Sequence, residues 1–452
     1  MRIKIIYPTR LTNEGRPLKT KARLGKIATL ATWYLAGLTP SHHEVDIIDD
    51  LFEDIDFDEK VDLAAITAMT MQAPRAYQIA AQYRKRGVKT VMGGLHCSFL
   101  PEEAAQFADA VVIGEAEPVW PQVLADAEKG ALKKFYRAEL LESLTGLPSP
   151  RYDLIKSKSY DYVIYPLWVG RGCPHNCNFC SVSNFYGRRV RARPVQDIVR
   201  DAGLIPAKYV FIVDDNLFVY GKMLYELFPE LARFKFKFTA QIDTNLADND
   251  SLLDLAKQAG MDTAYLGFET IFPETLNKMG KGWAKIEKYK EVVKKIHRRG
   301  ISIHASLIFG LNQETPETVK EILQRLEEWQ VDVLSLYFYS PLPGSDLHKE
   351  LVKNGKQFSR NWSYYDGNHP TLIPEGTTDQ ALVDLYWKLN QGFYRPFSIA
   401  RRFLRIPYGP KSYGMQLFRN LFIFNTDVSR RSSIMENFFS FKELFPGYSS
   451  LR

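Results

Sequence analysis

A chain of 452 residues is long enough for two or three domains, each burying its own apolar layer. With 45% hydrophobic residues, a formal charge of +7 and no apolar run near the ~18 residues that a spanning helix needs, the composition excludes an integral membrane protein and offers no basic arm for nucleic acid. The four cysteines, Cys173, Cys177 and Cys180 closely spaced and Cys97 apart, make a poor disulfide framework and a good metal site. A reducing, cytoplasmic setting fits them, and the opening MRIKIIYPTR reads as a short strand rather than a secretory leader.

Residues 1–130 alternate short apolar runs (Ile3 to Tyr7, Val45 to Ile48, Leu63 to Ala68, Thr90 to Met92, Ala110 to Ile113) with helical stretches, which predicts an α/β, doubly wound, Rossmann-like parallel sheet. Small-residue turns follow the later strands at Thr67–Thr70, Gly93-Gly94 and Gly114-Glu115, where an open α/β sheet places its ligand. Residues 131–160, with Pro148 and Pro150 and no strong period, are expected to be a linker. From 161 to 352 six further strand runs (Val163 to Val169, Tyr209 to Val213, Phe236 to Ile242, Thr263 to Phe268, Ser302 to Phe309, Val333 to Tyr339) predict a partial (β/α)6 barrel with its chemistry at the strand carboxyl ends. Residues 353–452 read as a mainly helical tail rich in aromatics, such as Trp362, Tyr364 and Tyr365.

The strongest chemical signal is Arg171-Gly172-Cys173-Pro174-His175-Asn176-Cys177-Asn178-Phe179-Cys180, just after the first barrel strand. Three soft thiolates at this spacing can wrap one iron–sulfur cluster and leave one iron open to a small molecule. A zinc knuckle with His175 or a distant fourth ligand is the alternative, although no paired CxxC or HxxxH follows; His175 itself reads as a loop residue. Phe211 to Asn216 close the second barrel strand with Asp214 and Asp215, which could hold a substrate or a proton or could cap the next helix. Cys97 reads as a small buried apolar residue.

The C-x3-C-x2-C string, with aromatic Phe179 before the last cysteine, resembles the radical S-adenosylmethionine (SAM) superfamily. That resemblance implies that Cys173, Cys177 and Cys180 hold a 4Fe–4S cluster, that SAM chelates the fourth iron, and that one electron cleaves it to a 5′-deoxyadenosyl radical. It also implies SAM-binding roles for Phe179, for Gln241 and Asp243 at a strand end, for Glu269 in Gly267-Phe268-Glu269-Thr270 facing the methionine ammonium, and for Ile308 and Gly310 near the adenine. The turns Thr67–Thr70, GG-x-H and GE-x-E resemble the cobalamin-binding domain that precedes many such enzymes. They imply contacts from Thr67, Met69, Thr70, Gly93, Gly94, Leu95, His96, Gly114, Glu115 and Glu117. The histidine-donating D-x-H-x-x-G is missing: Asp346 to Leu351 lacks its glycine and lies in the wrong domain.

By resemblance, this pairing implies methylcobalamin-dependent C-methylation of an unactivated carbon; cyclisation or rearrangement, a domain that binds no cobalamin, and a cobalamin or redox sensor are the alternatives. The layout is similar to enzymes that modify hopanoids, isoprenoid lipids and bacteriochlorophyll precursors, so a lipid or tetrapyrrole substrate and a flavodoxin or ferredoxin as electron donor are expected. Residues 393–425 interleave Arg and Lys with large apolar residues, which would suit peripheral contact with a membrane or packing over the barrel mouth.

Overall fold

The computed structural model describes residues 1–20, 29–155, 164–311 and 314–405. Its first sheet contains β1 (Arg2–Tyr7), β2 (Glu44–Asp49), β3 (Leu63–Thr67), β4 (Lys89–Gly93), β5 (Ala110–Ile113) and β6 (Phe135–Arg137), all parallel, in the order β2-β1-β3-β4-β5-β6. Parallel strands are covered on both faces and so read as continuous apolar runs; Ile3, Ile5 and Ile6 are at most 2% exposed. One face packs on Trp33, Ala36, Trp120 and Val123 from the helices Leu30–Leu38 and Trp120–Glu128. The opposite face packs on Ala76, Tyr77, Ala80 and Ala104 from Ala73–Lys85 and Pro101–Phe107. The expected doubly wound sheet therefore forms, and its winding reverses between β1 and β3, opening a crevice at their carboxyl ends. Within the stretch expected as a linker, β6 extends this sheet by a sixth strand.

The second sheet comprises β7 (Ile164–Leu167), β10 (Tyr209–Ile212), β11 (Lys237–Ile242), β12 (Met261–Glu269), β13 (Ser302–Phe309) and β14 (Val333–Phe338). They run parallel in the order β14-β13-β12-β11-β10-β7, leaving the barrel open between its first and last strands. A short antiparallel ribbon, β8 (Gly170–Arg171) with β9 (Arg191–Ala192), leads from the first barrel strand into the cysteine loop.

The tail closes the edge of β14. Tyr394 Oη donates to Leu334 O at 2.5 Å and accepts from Leu334 N at 2.9 Å, and Tyr386 Oη donates to Leu336 O at 3.0 Å, all from the helix Asp379–Tyr394. These hydroxyls satisfy edge backbone groups that would otherwise invite another strand. Upstream, Trp362 crosses to the N-terminal domain, where its Nε1–H donates to Glu103 Oε1 at 2.8 Å. Of the expected interfacial stretch 393–425, residues 406–425 lie outside the described residues. No helix among the described residues is long and apolar enough to cross a membrane.

Candidate active site

The cysteine loop is held by its neighbours' backbone. Asn178 N donates to Met279 O at 2.9 Å, Leu347 N donates to Asn178 O at 2.8 Å, and Cys180 N donates to Cys177 O at 3.1 Å. Gly172 has φ +90°, and a Cβ there would lie 2.4 Å from Arg189 O, so only glycine can bring β8 into the loop against the following turn. Cys173, Cys177, Phe179 and Cys180 line a cavity of about 480 Å³ at the carboxyl ends of the barrel strands. Burial pushes the free Cys177 thiol up to about 11 and Cys180 up to about 12, so thiolates here call for a bound cationic partner. Among the described residues, the group of His, Cys, Asp and Glu ligand atoms that converges within 4.8 Å is His42, His43 and Glu128, on the outer side of the N-terminal domain. The three thiols share this one cavity, so they can serve together as soft ligands of a single metal group.

Around that cavity, Gln241, Asp243, Glu269, Ser306 and Ile308 form the wall. Asp243 Oδ2 lies 3.1 Å from His175 Nε2 and accepts from Asn216 Nδ2 at 2.7 Å, while the His175 ring stacks on Trp283 at 3.7 Å. His175 thus braces the loop rather than offering a free ligand. Glu269 sits at a register shift ending β12 with φ +60°, a conformation that costs energy for a non-glycine residue and marks functional sites. Its Oε1 is held at 2.5 Å by Lys281 Nζ, which also donates to Gly267 O at 2.7 Å. Gly310 falls outside this wall. Its amide donates to Glu314 Oε1 at 2.9 Å in the turn after β13.

A second cavity, of about 550 Å³, lies between the carboxyl edge of the first sheet and the barrel. From the first sheet Thr67, Met69, Gly93, Gly94, Leu95 and Gly114 line it, with Glu115 and Glu117. From the barrel come Trp168, Arg171, Phe185, Tyr186 and Asp215. Met69 is 49% exposed here, an apolar side chain left facing open space as a flat apolar cofactor would require. Gly94 has φ +94°, and a Cβ on it would meet Ala68 O at 2.8 Å, so its role is to let the turn close on its own backbone. Thr70 and His96 do not line the cavity. Thr70 is buried at the start of a 3-10 turn; His96 is 0% exposed, its Nε2 2.9 Å from Tyr77 Oη and 3.4 Å from Glu103 Oε1. Cys97 beside it is also fully buried.

The turn after β5 lines this cavity and is at the same time tied to the barrel. Glu115 accepts from Arg171 Nη1 at 2.8 Å on one oxygen and from Arg191 Nη1 at 2.8 Å on the other, and Glu117 Oε1 accepts from Arg171 Nη2 at 2.5 Å. Burial works to raise the Glu115 carboxyl, but Arg191 and Arg171 outweigh it and hold the group below the usual carboxylate range. Both glutamates are thus committed to the barrel's first ribbon while still lining the cavity.

The two cavities meet at Val182 and Asp215, which line both. Asp214 lines the second cavity only, and its carboxylate accepts from Val169 N at 2.8 Å, Gly170 N at 2.6 Å and Tyr220 Oη at 2.6 Å, which pins the start of β8. Sequence reasoning missed Lys281, Trp283 and Arg171. The string Gly280-Lys281-Gly282-Trp283 was the visible sign of the first two, since Gly280 lets it approach the cysteine loop closely, a Cβ there falling 2.5 Å from Asn176 O.

The family model of the radical SAM superfamily matches residues 169–326, and that of the B12 binding domain matches residues 20–124. The bacteriochlorophyllide d C-8(2)-methyltransferase of Chlorobaculum tepidum is 29% identical over 403 residues, 84% of this chain and 88% of that protein. The bacteriochlorophyllide d C-12(1)-methyltransferase of the same organism is 27% identical over 353 residues, 75% of this chain and 76% of that one. Among solved structures, the radical S-adenosylmethionine methyltransferase TsrM from Kitasatospora setae, with cobalamin and a 4Fe–4S cluster bound, matches with a TM-score of 0.66 at 15% identity. The match covers 95% of this chain and 100% of that one and concerns the fold.

Proposed function

Because the chain belongs to the radical SAM enzymes that carry a B12-binding domain, we propose that it is a C-methyltransferase acting on an unactivated carbon of a hydrophobic small molecule, with a tetrapyrrole as the substrate class. The observation that carries this reading is the meeting of the two cavities at Val182 and Asp215, so that one carbon lodged there faces both. Bound in those cavities, cluster and SAM supply hydrogen abstraction and cobalamin supplies the methyl group.

The chain's own residues divide the work. Cys173, Cys177 and Cys180 would hold the cluster, and Glu269 and Gln241 would meet the polar end of SAM, with Ile308 on its apolar side. Thr67, Met69, Gly93, Gly94 and Leu95 would cradle the corrin. Tyr265, Tyr337 and Tyr339 line the SAM side. A one-electron protein donor such as flavodoxin or ferredoxin, and peripheral contact of the tail with a membrane surface, belong to the same reading.

The test is an anaerobic assay of the reconstituted chain with SAM, hydroxocobalamin, a chemical reductant and bacteriochlorophyllide d. A substrate mass raised by one methylene unit, with label transferred from methyl-labelled SAM, supports the reading. Release of 5′-deoxyadenosine with an oxidised or ring-closed product and no label would replace methyl transfer by cyclisation.

A further inference from the structure

The ribbon of β8 and β9 places two cations directly opposite each other, Arg171 paired with Arg191. Like charges at such a pair are destabilising. Here the compensation comes from another domain: Glu115 bridges both guanidinium groups, and Glu117 takes the second edge of Arg171. The side chains are 13% exposed for Arg171, 4% for Arg191, 1% for Glu115 and 6% for Glu117, so salt in solution screens them little. Arg171 also lies over Trp168, its guanidinium carbon 4.8 Å from the ring centroid. Two residues later comes Cys173, reached through Gly172, whose packing on Arg189 O leaves no slack. The register of the ribbon, and with it the first cluster ligand, is therefore set by a turn of the N-terminal domain.

Glu115, Glu117 and Arg171 are at the same time wall residues of the cavity between the domains. Any group seated in that cavity bears on the charges that fix the ribbon. We propose that Arg171 is a positioning residue through which cobalamin occupancy and cluster assembly are coupled, each favouring the other. The coupling rests on both cofactors being held as set out under the proposed function. By linkage it is reciprocal: whatever the cluster does to cobalamin affinity, cobalamin does to cluster retention.

The measurement is hydroxocobalamin affinity by equilibrium dialysis, on the cluster-loaded full chain and on a full-length chain with serine at all three cluster positions. The loaded chain is expected to bind about fivefold tighter or more, the lower range of allosteric couplings. In Arg171→Lys, which keeps the charge but cannot serve two carboxylates with one planar fork, and in Glu117→Gln, that ratio falls to about one while iron, sulfide and far-ultraviolet circular dichroism hold. A merely structural role would weaken loaded and cluster-free chains alike and leave the ratio untouched. A ratio near one in the unaltered chain, or an unchanged ratio in both variants, overturns the proposal. Absence of cobalamin binding in every form removes the cofactor reading itself and is distinct from binding without coupling.

Discussion

Asp215 stands where the two cavities meet, and burial, followed by the charge of neighbouring Asp214, pushes its carboxyl up to about 7. Asp214 is raised less, to about 6, because Tyr220 and the amides of Val169 and Gly170 offset part of its burial. An unfolded aspartate titrates near ~3.9, so between about pH 4 and pH 7 the folded chain holds a proton that the unfolded chain has lost. Stability from this group is therefore present in acid and is lost as pH rises through 7. Asp215→Asn keeps the shape without the charge. Its unfolding free energy from urea titration of the cofactor-free chain should exceed that of the parent by roughly 1–3 kcal/mol at pH 8 and by much less at pH 5. An advantage that does not grow with pH would mean that the Asp215 carboxylate is solvated when charged and that burial does not raise it.

Edge protection by the tail gives a prediction at the level of one element. Tyr394 Oη serves both the amide and the carbonyl of Leu334, so Tyr394→Phe leaves two backbone groups of β14 without partners while keeping the ring in the core. A loss of about 1–3 kcal/mol in urea unfolding is expected, with unchanged cobalamin affinity because the cavity between the domains is remote from β14. Strands like β13, Ser302–Phe309, were legible because a parallel strand covered on both faces is rich in apolar residues, here Ile303, Ala305, Leu307, Ile308 and Phe309 among Ser302, His304 and Ser306. β6, with three residues, and β8 and β9, with two each, are too short to carry any period, so their existence follows from pairing alone. The site divides in the same way. The cysteines announce their chemistry by spacing, whereas the GG-x-H and GE-x-E turns show only where the chain turns: nothing local reveals that His96 will be buried against Tyr77, or that Glu115 and Glu117, while lining the cavity, will also be paired with Arg171 and Arg191.

Across the whole molecule the three parts are joined by few, deeply buried polar contacts. Charge links the cobalamin-binding domain to the cysteine loop through Glu115 and Arg171, and the Trp362 indole is one link from that domain to the tail. Glu103, 5% exposed, accepts from Tyr77 Oη at 2.8 Å and from Trp362 Nε1 at 2.8 Å on the same oxygen. Three residues beyond Trp362, Tyr365 begins the segment Tyr365–Gly367 that walls the cavity of the cysteine loop. Asp366 in that segment faces Arg10, 3.8 Å away, from the loop after β1. Thus the tail is fastened to the N-terminal domain just before this wall, at Trp362, and within it, at Asp366. Trp362→Phe keeps the apolar filling but takes one donor from a buried carboxylate, which costs about 1–3 kcal/mol. The expected signature is local: amide exchange should quicken in residues 362–367 and in the helix Pro101–Phe107 together, while β11 to β13 keep their protection. SAM retention on the cluster-loaded chain should fall with it. Faster exchange confined to the tail, with the helix around Glu103 unmoved, would show that the indole packs without fastening and that this wall is held by the barrel alone.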